Sequence, residues 1–277
     1  MQFDKDKEYS YQHLVALSGG LDSRITSMVA HDLGYVNQTN FTFSQSGYLD
    51  ETIAKTIASD FKHEWIFKSL DNGLFLKDIE EITKVTGGNA LYYGLAHGNS
   101  MFKNMNFDSF GMVHSGQLGD VIIGSYINNL KEKNLLSVGG RFSSDKNFNS
   151  SVSSFFSSFK EKELSMIYDR GFNGINEGLK TSQIYTETMS PFYDIDFMEF
   201  CMSIPLKIRL NHKLYKKWVL KKYPLANNYI WEKTKKKISY RTFSISYNGK
   251  TIERNRIPKL ILVKLKLCSP STETKNH

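Results

Sequence analysis

His13-Leu14-Val15-Ala16-Leu17-Ser18-Gly19-Gly20-Leu21-Asp22-Ser23 is the stretch on which the fold turns. Its first five residues form a short apolar run, the pattern of a buried strand, and Ser18-Gly19-Gly20 stops the run with a glycine turn. From Asp22 the period changes. Leu21, Ile25, Met28, Val29 and Leu33 recur on one helical face, and Gly34 closes that helix. Moving outward, strands are predicted at residues 40–44, 63–67 and 110–114. Helices are predicted at 50–61, 76–85, 91–105 and across 194–223. Strand and helix alternate, which predicts an α/β fold with a doubly wound parallel sheet and additional helices toward the C-terminus.

The chain has 277 residues, 40% hydrophobic and 13% aromatic, enough for a substantial core and too apolar for a mainly disordered chain. No apolar run is long enough for a membrane helix, and the charged N-terminus has no signal-peptide pattern. Cys201 and Cys268 alone make neither a disulfide framework nor a zinc site, so a reduced, cytoplasmic setting is expected. Cys201 shares a helical apolar pattern with Phe197, Phe200 and Ile204 and reads as core. The net charge of +8 is uneven: from Pro205 onward 19 Lys and Arg face 3 acids, whereas residues 1–204 hold 17 and 25. Such a basic tail suits nucleic acid, anionic lipid or phosphate chemistry. Residues 128–180 read as helices with a polar, serine-rich loop, and the patterning weakens beyond Arg241.

A glycine turn between strand and helix aims backbone N–H groups and the positive end of the helix dipole at one point. With the hydroxyls of Ser18 and Ser23 added, that point suits a phosphate or pyrophosphate. Asp22 would repel such an anion unless it holds a magnesium ion bridging to the phosphates. The same string also suits a plain strand-to-helix turn. Gly249-Lys250-Thr251 is no Walker loop, because Ser244 replaces the leading glycine and no strand precedes it.

Four strings, in order over residues 10–240, carry a resemblance. Ser18-Gly19-Gly20-Leu21-Asp22-Ser23 resembles the PP-loop of N-type ATP pyrophosphatases. Ser115-Gly116-Gln117-Leu118-Gly119-Asp120-Val121-Ile122-Ile123-Gly124-Ser125-Tyr126 resembles the SGEGADELFGGY segment of asparagine synthetases. Ser190-Pro191-Phe192-Tyr193-Asp194 resembles their PFLD segment, and Lys233-Thr234-Lys235-Lys236-Lys237-Ile238 their R-x-K-x-x-F segment. The chain thus resembles the synthetase domain of the asparagine synthetase family, with an adenine nucleotide α-hydrolase-like fold over 10–240 and a basic tail, open to truncation, over 241–277.

The resemblance implies an ATP-dependent, amide-forming ligase that adenylates a carboxylate, releases pyrophosphate and admits ammonia or an amine. It implies Leu17, Phe43 and Gly116 around adenine, and Ser18, Gly19, Gly20, Asp22 and Ser23 around pyrophosphate. Asp22 and Asp120 would hold Mg2+. Lys235 would stabilise phosphoryl charge, with Lys233 and Lys236 as rivals in register. The carboxylate partner would be a small molecule, glycan or peptide; no membrane or nucleic-acid partner is expected. Gln117 stands where the family has Glu, Val121 replaces a second acid, and Arg24 follows the loop where a small residue is usual. The family's N-terminal glutaminase, with its cysteine after Met, is not expected here, since Gln2 follows Met1, unless the chain is a fragment of a longer protein. A separate glutaminase or another amine would then supply nitrogen. A PP-loop tRNA-modifying enzyme and a non-catalytic nucleotide-binding remnant are the alternatives.

Overall fold

The computed structural model describes residues 2–9, 12–90, 97–124, 126–127, 130, 147, 159 and 161–240, together with the backbone of 244–247 and 250–253. Strands β1 (His13–Ala16), β2 (Gln38–Ser44), β3 (Glu64–Ser69), β4 (Val113–His114) and β5 (Thr188–Met189) form one sheet in the order β3-β2-β1-β4-β5. Every pairing in it is parallel. After β3 the chain returns to the other side of β1. The β1/β4 junction is therefore the switch point, the crevice where such sheets receive ligands.

Helices α1 (Leu21–Asp32) and α2 (Leu49–Asp60) cover one face of the sheet. Their buried Leu21, Ile25, Met28, Ile53, Ala54, Ile57 and Ala58 pack with Tyr215 and Val219 of a later helix, Lys213–Lys222. Leu14, Phe41 and Val113 point to the opposite face and meet Met101 and Phe102. Burial on both faces explains why β1 reads as an uninterrupted apolar run. The fold is thus the expected α/β doubly wound parallel sheet.

The boundaries differ in detail. Leu33, expected on the buried stripe of α1, is 53% exposed because the helix ends at Asp32 and Gly34 turns the chain with φ +95°. Helix α3 spans Ile79–Thr86, and only Asn99–Phe102 is α-helical within the described part of 91–105, since residues 91–96 lie outside the described set. The expected helices of 194–223 are Ile195–Ser203 (α4), Leu206–Arg209 (α5) and Lys213–Lys222 (α6), and Cys201 is buried as anticipated. β5 was not anticipated, because two residues carry no period. Most of the serine-rich segment and of the 241–277 tail, including Cys268, lies outside the described residues. The strands Ser244–Tyr247 and Lys250–Glu253 pair antiparallel, so a strand does precede Gly249-Lys250-Thr251, contrary to expectation; it leads into a hairpin with Ser244 in place of the leading glycine, and the string is still no Walker loop. No helix among the described residues is long and apolar enough to cross a membrane.

Candidate functional site

The β1–α1 turn and the β4 turn meet at the switch point and wall a cavity of about 310 Å3. Leu17, Ser18, Gly20, Asp22, Ser23, Phe43, Gly116 and Gln117 all line it. Phe102, Thr181 and Ser182, from the layer covering the other face, complete the wall and carried no motif in the sequence.

The loop is ordered by its own side chains. Ser18 N–H donates to Ser23 Oγ at 3.1 Å, Gly20 N–H donates to Ser18 Oγ at 3.1 Å, and the two hydroxyls lie 2.9 Å apart. Gly19 N–H donates to Asp50 Oδ1, at the start of α2, at 2.7 Å. Gly20 caps α1 with no side-chain bond, so the helix N-terminus opens toward the cavity.

The β4 turn presses against this loop. A Cβ on Gly116 would stand 2.4 Å from Ser23 N, and one on Gly119 would stand 2.7 Å from Asp22 Cγ. Only glycine permits that approach. It brings Asp120 N–H to within 3.0 Å of Asp22 Oδ2, across 98 residues of sequence. Ser190 Oγ donates to Gln117 O at 2.8 Å, which ties in the Ser190–Asp194 string. Gln117 Nε2 donates to Ile175 O at 2.9 Å, so its amide serves as a brace.

Asp22 is half-buried, and its Oδ1 is sealed from solvent with no hydrogen-bond partner. Burial, and then the Asp120 charge, push its carboxyl up to about 8, against the opposing pull of Tyr215, the Asp120 N–H and Lys233. A carboxylate pair with an orphaned inner oxygen is a hard oxygen donor set that fits a magnesium ion.

The cation that reaches this pair is Lys233, whose Nζ lies 3.6 Å from Asp120 Oδ2 and 3.2 Å from His212 Nε2. Burial, then the Lys233 charge, hold His212 down to about 4 and so neutral. Lys235 is exposed and serves as the left-handed residue (φ 54°) of the turn after β6 (Ile230–Trp231). Its N–H donates to Trp231 O at 2.8 Å.

No protein-family model matches the chain, and no curated protein matches it in sequence.

Arg24 is the neighbour that sequence reasoning left without a task. Its fully buried guanidinium donates to Gly19 O at 3.1 Å, Ala226 O at 3.0 Å, Tyr229 O at 3.4 Å and Ile230 O at 2.7 Å. It thereby bolts the loop to the segment that leads into Lys233. Val121, in place of the second acid of the resembled segment, is buried with Leu118 and Ile122. His97, which had no assignable role, lies against Phe43 with ring centroids 5.0 Å apart.

Proposed function

We propose that this chain is an ATP- and magnesium-dependent ligase that adenylates a carboxylate, releases pyrophosphate and forms an amide with ammonia or an amine, in the manner of asparagine synthetases. The observation that carries this reading is the convergence of four strings, distant in sequence, on one crevice. Asp22 meets Asp120, Gly119 meets the Phe192 ring, and Lys233 meets Asp120.

Each residue then has a task set by its chemistry. Leu17, Phe43 and Gly116 offer an apolar slot for a purine at the mouth of β1, β2 and β4. Ser18, Ser23 and the N-terminus of α1 offer donors to phosphate oxygens. Phosphate binding exchanges acceptors there, because the loop N–H groups are already held by hydroxyls and Asp50. Asp22 and Asp120 would hold magnesium, which when bound supplies positive charge against the leaving pyrophosphate. Lys233 supplies a fixed cation at the same place, a requirement of developing phosphoryl charge. Gln117 is a neutral amide and removes no proton.

The test is isotope exchange between pyrophosphate and ATP across a panel of carboxylates. Exchange is expected with at least one of them, and Asp22→Asn or Asp120→Asn should lower it on the order of 100-fold or more. Absence of exchange with every carboxylate, together with unchanged ATP affinity in Asp22→Ala, would sink the proposal.

A further inference from the structure

A second cluster of ionisable groups lies away from the cavity. Asp6 sits in the 3-10 turn Gln2–Glu8, His13 is the first residue of β1 and His114 the last of β4. β1 and β4 pair with Val15 opposite His114, so His13, two residues back, shares the face of His114. The N-terminal turn folds over that face, and all three residues are buried. Asp6 Oδ2 contacts His13 Nδ1 and lies 2.7 Å from His114 Nε2, and the three donor atoms fall within 4.8 Å of one another.

The surroundings orient these groups. Asp6 Oδ1 accepts from Met112 N–H at 2.9 Å, which aims Oδ2 at the two rings. The Phe3 ring stacks on His114 at 3.6 Å between centroids. Gly111 leaves the carboxylate room, since a Cβ there would stand 2.6 Å from Asp6 Cγ. His114 Nδ1 has no hydrogen-bond partner, while its Nε2 is the nitrogen that faces the Asp6 carboxylate.

We infer that Asp6, His13 and His114 form a site for one transition-metal dication of zinc-like preference, which staples the N-terminal turn to β1 and β4. Two imidazole nitrogens and one carboxylate oxygen suit zinc or cobalt and do not suit magnesium, unlike the all-oxygen pair at Asp22 and Asp120. Asp6 is a buried carboxylate met by imidazoles and a backbone N–H, and a dication would neutralise its charge. Tetrahedral bonds of about 2.0–2.2 Å set donors roughly 3.3 Å apart, so Asp6 must withdraw from the rings by several tenths of an ångström.

The test uses the full chain, stripped with chelator and titrated with Zn2+ and with Co2+ as a coloured probe. One metal per chain, a raised melting temperature and a Co2+ visible spectrum are expected. Asp6→Asn and His13→Gln, each checked for folding by circular dichroism, should weaken binding by roughly tenfold or more. A variant carrying Asp22→Asn and Asp120→Asn should bind as the wild type does, which separates this site from the candidate magnesium pair. Folded wild-type protein that takes up no stoichiometric Zn2+ would overturn the inference and leave a hydrogen-bonded triad. So would binding that survives in both Asp6→Asn and His13→Gln.

Discussion

Arg24 shows how one side chain can organise a site without facing it. A buried guanidinium is costly unless its donors are used, and four carbonyls use its two Nη groups while the Nε–H is left without a partner. Those carbonyls belong to the loop and to the 226–230 segment, so the fork sets the distance between the two. Lysine retains the charge but not the planar fork. Arg24→Lys should therefore lower unfolding free energy by about 2 kcal/mol or more, measured by urea denaturation. If the proposed function holds, the same variant should also weaken ATP binding, because Gly19 and Lys233 lose their common anchor. Gly116 is subject to the opposite constraint. Gly116→Ala forces a methyl against Ser23 N and should cost roughly 1–3 kcal/mol by overpacking, read as a lowered melting temperature.

Among the elements, β2 is unusual in turning polar residues toward α1. Gln38 Nε2 donates to Ser27 O at 3.1 Å, and Ser27 Oγ donates to Gln38 Oε1 at 2.8 Å. Asn40 Oδ1 accepts from His63 Nδ1 at 2.9 Å, and His63 Nε2 lies 2.8 Å from His31 Nδ1. His63 Nε2 must then be the acceptor, and an added proton there would face the His31 N–H. Burial, then the nearby His31, hold His63 down to about 4, well below its ordinary 6.5. The unfolded chain therefore binds this proton more readily. The stabilising contribution is complete above about pH 6.5 and is lost as the pH falls from there toward 4. It amounts to at most about 3 kcal/mol. His63→Gln should flatten the decline of unfolding free energy between pH 6.5 and 4, followed by denaturant titration at several pH values.

At the scale of the whole molecule, the helix Lys162–Met166 and α5 are joined by a bidentate ion pair that no local pattern announces. Arg209 Nη1 and Nη2 donate to the Glu163 carboxylate at 2.7 and 2.9 Å, with both residues buried and 46 positions apart. Removing one partner strands the other charge in the interior. Glu163→Ala should lower stability by about 3–5 kcal/mol, whereas Glu163→Gln, which keeps one acceptor, should lose less; equilibrium unfolding separates them. The basic C-terminal region acquires a partial explanation at this scale too. Lys233 stands beside a carboxylate pair, Arg209 is consumed inside the fold, and the lysines of α6 belong to a helix whose last turn is basic.

By itself, the sequence determined the strand–loop–helix unit of residues 13–32, the alternation that makes a parallel sheet, and the identity of the loop glycines. These are legible because backbone period, apolar spacing and the need for glycine in a tight turn are local properties. It also singled out the strings that line the cavity. The tertiary structure alone decided what meets what. Asp120 reaches Asp22 because β4 returns beside β1, and strand order is not encoded in any window of residues. Lys233 Nζ stands 3.6 Å from Asp120 Oδ2, whereas Lys235 takes the left-handed position of the turn after β6 and its side chain is exposed. Arg24, Asp50 and the triad of Asp6, His13 and His114 had no motif. Each acts through partners brought near by the packing of whole elements, and such contacts exist only once the chain has closed.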